Sequence, residues 1–428
     1  MSVGQDMYKL CEKMFPICRS ITGDGVRETL RLMREIAPEI KLHEVPTGTP
    51  AFDWTVPKEW RIRDAWVKNS KGEKIIDFKK HNLHVLGYST SIDKKVSLAE
   101  LKQYLYTEPN QPDVIPYVTS YYKERFGFCL TREQYDNLPE DTYHMYIDSE
   151  LFDGSLTYGE LIIPGESDEE IFFSTYFCHP SMANNELSGP AVSVHLAKYL
   201  LAKEKRRYTY RFVYIPETIG SLTYLSQENH LTEMKKKVIA GWNLSCVGDD
   251  RTYSMVATRY GNTLTDKVTK NVLSFVYPEY KHYSFLHRGS DERQYNAPGV
   301  DLPIVGFSRS KYGEYPEYHT SKDDMGLISP AGLSGAYNVM VECIEAMEHN
   351  HRYKIKCYGE PQLGKRGLYP TISHKGGYDE VTAMMDFIAY ADGTNDIVDI
   401  SDIIGVPVRE LVKVAEKLKE NRLVEIVA

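Results

Sequence analysis

The chain has 428 residues and a formal net charge of −9, with 42% hydrophobic and 26% charged residues. This is the composition of a globular protein of two or three domains. The acidic balance argues against nucleic acid as the main partner, because duplex binding relies on a basic surface. No run of about 18 apolar residues predicts a membrane-spanning helix, and the N-terminal sequence lacks the pattern of a signal peptide.

The seven cysteines are scattered along the chain, and no Cys-x-x-Cys spacing occurs. Their pattern predicts neither a disulfide framework nor a cysteine zinc knuckle. A reducing, cytoplasmic location fits best, and we expect no membrane partner.

The pattern of apolar residues changes once within the first 141 residues. Apolar residues recur at helical spacing up to about residue 36 and a strand is expected over 41–45, so residues 1–45 are predicted to be the helical start of an α/β core. Residues 46–141 carry short alternating runs between Gly, Pro and Asn turns, with three of the four tryptophans. This pattern predicts an inserted β-rich domain, either a lid or an oligomer interface.

Strands and helices alternate over residues 142–358, which predicts an α/β core with a mostly parallel central sheet flanked by helices. Strands are expected over 160–163, 171–177, 208–215, 238–247 and 302–307. Helices are expected over 190–202, 221–229, 264–277 and 330–349.

Residues 359–428 are predicted to form a winged helix-turn-helix, with helices over 378–390 and 408–419 and a closing strand over 423–427. From residue 361 onward the chain has 8 Lys and Arg against 11 Asp and Glu. A DNA reader is normally basic, so contacts with protein are favoured over contacts with DNA. Instead of nucleic acid, the expected partner is a second copy of the chain, bound through this domain or through the insert.

Polar side chains follow several of the predicted strands. His179 ends the apolar run 171–177, Glu217 follows the strand 208–215, and Asp249 follows the strand 238–247. Ligands collect at the carboxyl ends of strands in open α/β sheets. Imidazole and carboxylate ligands suit zinc, and a catalytic zinc keeps one position open for water.

In these motifs the chain resembles the co-catalytic zinc aminopeptidases of the α/β zinc-exopeptidase superfamily, over about residues 161–349. His179 matches the imidazole that follows the first core strand of that family. His319, in the segment Tyr318-His319-Thr320, matches its last ligand, and Glu217 matches its general base. The whole chain resembles a bacterial group with an aminopeptidase-like core, an inserted β domain and a C-terminal winged helix, whose members are often associated with polysaccharide biosynthesis.

The chain departs from the family at three ligand positions. Asn185 stands at the bridging aspartate, Thr218 at a zinc-binding glutamate and Ser245 at an aspartate. A neutral amide bridges two dications poorly, so the resemblance implies one zinc rather than two. His179, His319 and an oxygen from Asn185, Glu186 or Asp249 are the expected ligands.

The resemblance implies a metal-dependent hydrolase that cleaves an amide bond of a small peptide or amino-sugar conjugate, with Glu217 activating a metal-bound water. Arg288, which can bind a carboxylate bidentately, is the expected substrate contact together with Asp291 and Tyr318. Structural alternatives remain open: Glu217, Asn185 and Glu186 could cap helices, Asp249 could belong to a turn, and Arg288 could pair with an aspartate. A catalytically inactive fold that serves as a binding or regulatory module is the alternative function.

Overall fold

The computed structural model describes residues 2–368 and 379–427. Two compact units are present, one of Met1–Gly261 with Lys281–Tyr337, the other of Asn262–Tyr280 with Asn338–Ala428. Within the described residues, no helix has the length and apolar character needed to cross a membrane.

The helices, in chain order, have the following bounds: α1 Val3–Met14, α2 Asp24–Arg34, α3 Leu98–Leu101, α4 Arg132–Asp136, α5 Ser188–Ala202, α6 Ile219–Ser226, α7 His230–Lys237, α8 Leu264–Val276, α9 Glu292–Tyr295, α10 Pro330–Glu348, α11 Asp379–Tyr390, α12 Ile397–Ile404 and α13 Val408–Glu420.

The strands have the following bounds: β1 Lys41–Pro46, β2 Pro50–Ala51, β3 Trp54–Thr55, β4 Glu59–Lys68, β5 Lys74–Asp77, β6 Ile92–Ser97, β7 Leu105–Tyr106, β8 Phe128–Cys129, β9 Thr142–Phe152, β10 Ser155–Ile163, β11 Glu170–Tyr176, β12 Thr209–Ile215, β13 Val238–Leu244, β14 Ser254–Val256, β15 Lys281–Tyr283, β16 Ile304–Ser308, β17 Arg352–Ile355, β18 Asp392–Asp396 and β19 Val424–Val427.

The first unit is built on a central sheet with the strand order β1-β10-β12-β11-β13-β16-β14-β15. The four middle strands, β12, β11, β13 and β16, pair in parallel. The pairs β1–β10, β10–β12 and β14–β16 are antiparallel. All seven residues of β11 are buried, as expected for a strand covered on both faces. The predicted α/β class is confirmed, with three adjacent parallel pairs at the centre of the sheet and a fourth, β14–β15, at one edge.

The inserted region forms a four-stranded antiparallel sheet in the order β5-β4-β9-β6. Its last strand, β9, begins at residue 142, so this sheet extends past the domain boundary expected at residue 141. The sequence did not separate β9 from the core, because only Asp153 and Gly154 lie between β9 and β10.

The second unit contains the elements of the predicted winged helix. Gly405 follows the last residue of α12, and its left-handed backbone (φ 69°) turns the chain toward α13. The three-stranded sheet β18-β17-β19 includes β17, which precedes the boundary expected at residue 359. The predicted start of α11 at residue 378 lies outside the described residues, as do the other residues of 369–378.

Candidate metal and active site

Four residues in the loops that follow the central strands adopt a left-handed backbone: Ser181 (φ 50°), Thr218 (φ 64°), Cys246 (φ 54°) and His319 (φ 58°). Such a conformation costs a non-glycine residue about 1–3 kcal/mol, and for the β-branched Thr218 it is a clear outlier. Surrounding contacts must therefore fix these positions, and the strain marks the carboxyl ends of the strands as the place to look for a site.

His179 is held by Glu186, seven residues further along the chain. Oε2 of Glu186 accepts the backbone N–H of His179 at 2.8 Å, and Oε1 contacts Nδ1 of its ring. Both side chains are buried. Burial, and then the charge of His319, lowers the pKa of His179 well below its ordinary value, so the ring is neutral. A neutral ring that gives its Nδ1 proton to a carboxylate keeps the lone pair on Nε2.

The loop after His179 ends in a π-helical turn over Ala183–Leu187 that leads into α5. Asp323 fastens this turn, because its carboxylate accepts the backbone N–H groups of Asn184 at 2.6 Å and Asn185 at 3.1 Å. Burial raises the pKa of Asp323 to about 7. Single π-helical turns inside α-helices are frequent at functional sites, and here the turn brings Glu186 back to His179.

Asn185 occupies the position at which a bridging aspartate was expected from the family. Its Nδ2 donates to the hydroxyl of Tyr176 at 2.8 Å and to Sγ of Cys246 at 3.6 Å. Its Oδ1 is buried and has no hydrogen-bond partner among the described residues. A buried amide oxygen without a donor is costly, which makes it a candidate ligand atom.

His319 faces His179, with 5.1 Å between the two ring centres. Its ring stacks on Tyr318 at 3.8 Å, and burial lowers its pKa to about 4. Within the described part of the chain its Nε2 is buried and lacks a hydrogen-bond partner. Tyr318, expected to contact substrate, thus supports the ring of His319.

Glu217 follows β12 and approaches the same place from a third strand. Its Oε2 lies 3.9 Å from Nε2 of His179, and its backbone N–H donates to Sγ of Cys178 at 3.3 Å. Burial raises the pKa of Glu217 to about 8, and the nearby charge of Asp291 adds to the rise. A carboxyl with a raised pKa beside two imidazoles is typical of a general acid and base.

Asp291 fixes the strained turn that carries Glu217. Its Oδ1 accepts the backbone N–H of Thr218 and the hydroxyl of Ser221, both at 2.8 Å. Burial raises the pKa of Asp291 to about 6. The side chain is 0% exposed, so the structure places it behind the turn rather than in contact with a substrate.

Two of the expected site residues are not brought to the imidazoles. Asp249 lies in a network of its own, where it accepts from the amide of Asn184, the backbone and hydroxyl of Ser310 and the backbone of Arg251. Arg288 is exposed, with its guanidinium 4.9 Å from the ring centre of Phe285. The hydrogen bonds of Asp249 leave its carboxylate occupied by protein donors. The contact with Phe285 keeps the guanidinium of Arg288 away from the imidazoles.

A cavity of about 300 Å³ opens onto His179 and Glu217. Its other lining residues include Trp54 and Tyr121 of the insert and Arg293, which follows Asp291 by two residues. Arg293, rather than Arg288, is therefore the arginine of the cavity.

The insert also covers the two imidazoles. The ring of Tyr117 packs edge-on against His179 at 4.6 Å and against His319 at 5.1 Å between ring centres. Its backbone N–H donates to the carbonyl of His319 at 3.0 Å, and its hydroxyl contacts that of Tyr121. The sequence offered no signal for this residue, because the contacts join positions that are 62 and 202 residues apart in the chain.

The spacing of the two imidazoles fits a shared zinc ion. Two imidazoles that share a tetrahedral zinc at Zn–N distances of about 2.0 Å have ring centres roughly 5 Å apart, which is the spacing of His179 and His319. Their Nε2 atoms and the orphaned Oδ1 of Asn185 are the candidate ligands, which leaves one position of a four-coordinate zinc open beside Glu217. Glu186 then acts through His179, as carboxylates behind zinc-binding histidines do.

A different set fits less well. Sγ of Cys178, Nδ1 of His179 and a carboxylate oxygen of Glu186 lie within 4.8 Å of one another. However, Sγ of Cys178 already accepts the backbone N–H of Glu217 at 3.3 Å. Nδ1 of His179 is moreover already engaged by Glu186.

Comparison with known families gives two matches along the chain. A sequence profile described as "Domain of unknown function (DUF4910)" matches residues 8–350, and a winged helix-turn-helix profile matches residues 351–426. A protein of Clostridium acetobutylicum, named as a suspected polysaccharide biosynthesis protein with an aminopeptidase-like domain, is 46% identical over 430 residues, which cover 99% of this chain and 97% of that protein.

Two solved structures have folds similar to that of this chain. The crystal structure of a suspected peptidase from Clostridium acetobutylicum matches with a TM-score of 0.92 and 45% identity, covering 99% of this chain and 96% of that one. A zinc aminopeptidase from Bacillus subtilis matches with a TM-score of 0.58 and 12% identity, covering 81% and 94% of the two chains. The predicted combination of an aminopeptidase-like fold and a winged helix is thereby confirmed.

Proposed function

Because the chain belongs to the DUF4910 family and has the fold of the zinc aminopeptidases, we propose that it is a single-zinc hydrolase of small amides. The observation that carries the proposal is the convergence of His179, His319 and Glu217 from three loops. The two imidazoles are neutral and 5.1 Å apart, and the carboxylate lies 3.9 Å from one of them.

Each residue has a distinct task in this proposal. His179 and His319 hold the zinc, with Asn185 as a neutral oxygen ligand. When bound, the zinc supplies a Lewis acid that polarises a carbonyl and lowers the pKa of water. Glu217 takes a proton from the attacking water on a carboxylate oxygen and delivers it to the departing nitrogen. A carboxyl whose pKa lies near neutral pH is suited to both transfers.

The surrounding residues position these groups and limit the access of water. Glu186 sets the tautomer of His179, and Asp291 fixes the turn before α6. Tyr117 covers both imidazoles, so bulk water reaches the site through the cavity. A low local dielectric strengthens the interactions of Glu217 with charge that develops in the reaction.

One comparison of variants tests this proposal. The zinc-reconstituted chain should hydrolyse at least one member of a panel of aminoacyl and acylamino-sugar amides. Glu217→Gln should lower kcat/KM by about 100-fold or more, while the matched change Glu169→Gln at an exposed residue should leave it unchanged. Equal rates for both variants, or no turnover of any amide, would favour the inactive binding module, an alternative supported by Asn185, Thr218 and Ser245 at ligand positions.

The proposal extends to the cellular location, the substrate and the partner of the protein. We place the protein in the cytoplasm, since all seven cysteines are free, and we name a small peptide or amino-sugar conjugate as substrate. The name of the Clostridium acetobutylicum relative refers to polysaccharide biosynthesis, which supports a sugar-containing substrate. Self-association through the insert or the winged helix is the partner that we favour over nucleic acid.

A further inference from the structure

The cavity combines apolar and charged walls. Trp54, Tyr121, Tyr122 and Ile219 provide apolar and aromatic surface, and Glu217 and Arg293 are charged groups on the same cavity. Small-molecule sites commonly combine apolar walls with a few polar groups that set the orientation of the ligand. A volume of about 300 Å³ suits a compound of amino-acid or dipeptide size.

Arg293 is incompletely paired in this cavity. One of its terminal nitrogens donates to the hydroxyl of Thr218 at 2.6 Å, and its Nε is buried without a hydrogen-bond partner among the described residues. The contrast with Arg211 is informative, because that part-buried guanidinium pairs with both Glu160 and Glu170. Its charge acts on the nearby carboxyls of Glu217 and Asp291, but it forms no ion pair with a described carboxylate as Arg211 does, so the guanidinium can still bind a ligand.

The guanidinium of Arg293 favours a ligand with a negatively charged group. Its planar fork matches a carboxylate and binds it through two parallel hydrogen bonds, whereas it repels the ammonium group of an aminopeptidase substrate. Trp54 and Tyr122, which are 41% and 54% exposed, meet edge-on at 5.6 Å and offer aromatic surface beside the cavity. A flat acyl group can pack there while a carboxylate lies on Arg293.

We propose that the cavity takes small amides that carry a carboxylate, such as N-acylamino acids or the C-terminal end of a short peptide, and that Arg293 binds this carboxylate. The assignment rests on the proposed function for the scissile amide. Recognition of the carboxylate, however, can be measured without turnover.

The test uses the full chain carrying Glu217→Gln, reconstituted with zinc, and calorimetric titration with three matched ligands. These are N-benzoylglycine, its neutral amide and its phosphonate analogue. N-benzoylglycine should bind at least about 10-fold more tightly than the amide, since hydrogen bonds to charged groups are worth that much or more. Adding Arg293→Gln should abolish the preference, and the matched exposed change Arg288→Gln should preserve it.

Arg293→Lys provides a second variant that keeps the charge and loses the fork, and it should retain only part of the preference. Equal affinity for carboxylate and amide in the parent protein would overturn the proposal, as would a preference that survives Arg293→Gln. Tighter binding of the phosphonate than of the carboxylate would overturn the choice of anion. A carboxylate preference without any turnover by the wild-type chain would refute the hydrolase alone, and turnover without the preference would refute the role of Arg293 alone.

Discussion

Glu186 binds His179 through both of its carboxylate oxygens, one on the backbone N–H and one on Nδ1. The contact fixes the orientation of the ring and its tautomer together. Since the carboxylate can only accept, the proton stays on Nδ1 and Nε2 remains free for a metal.

Glu186→Gln should therefore reverse the tautomer of His179. The backbone N–H requires an acceptor, so the amide oxygen of the glutamine goes there and its NH₂ group faces Nδ1. The ring then carries its proton on Nε2, and zinc affinity should fall about 10- to 100-fold. Competition with a chromophoric chelator measures the loss. Asp250→Asn, at an exposed residue, is the matched control, and unchanged affinity in Glu186→Gln would contradict this role.

Arg27 joins α2 to the insert through a buried carboxylate. Two of its nitrogens donate to Glu59 at 2.6 and 2.9 Å, and the side chain of Glu59 is only 4% exposed. Arg27→Met leaves that carboxylate without its cation and should cost about 3–5 kcal/mol of unfolding free energy. Arg61→Met, which breaks exposed pairs with Glu150 and Asp24, should leave the unfolding free energy nearly unchanged.

Urea unfolding followed by tryptophan fluorescence compares these two variants. The insert contains Trp54, Trp60 and Trp66, so the signal reports on the region that Arg27 holds. Equal midpoints for Arg27→Met and Arg61→Met would show that the buried pair does not support the fold.

His81 should make stability depend on pH. Its Nδ1 accepts the backbone N–H of Leu83 at 3.1 Å, and burial lowers its pKa from 6.5 to about 4. The unfolded chain therefore takes up the proton first, and stability is lost as pH falls below about 6.5. Between pH 7.5 and 5.5 this group should remove about 1 kcal/mol.

His81→Asn keeps an acceptor for Leu83 and removes the titration. Denaturant unfolding at the two pH values should show a smaller loss for this variant than for the wild type. An identical loss in both proteins would assign the acid sensitivity to other groups.

The winged helix should not bind duplex DNA. The helix α13 carries charges of both signs, and Arg409 near its start pairs with Glu342 at 3.0 Å. Neutralised phosphates are the main source of non-specific affinity, and from residue 361 onward 11 Asp and Glu outnumber 8 Lys and Arg. Gel shifts with the full chain at low salt should show no complex, and a salt-sensitive shift would contradict the prediction.

The sequence was sufficient for features that depend on local pattern. The continuous apolar run of β11 predicted a buried strand, and the polar residue after it, His179, lies at the site. The alternation of strands and helices gave the class of the core. Family motifs indicated His319 and Glu217, which the structure brings together with His179.

Other features depend on long-range packing and could not be predicted. Tyr117 reaches the imidazoles from the insert, and no periodicity links it to residues 179 and 319. Arg288 and Arg293 are five residues apart in one loop and short helix, so the sequence did not show which guanidinium enters the cavity. Asp249 follows a strand as a ligand would, yet its partners come from Asn184 and Ser310.

Anomalous diffraction at the zinc edge, from crystals of the zinc-reconstituted chain, tests the central claim most directly. The account predicts a single peak near full occupancy, within about 2.0–2.2 Å of Nε2 of both His179 and His319. Two adjacent peaks would contradict the loss of the bridging position at Asn185. Absence of a peak at these histidines would contradict the metal site and the hydrolase that depends on it.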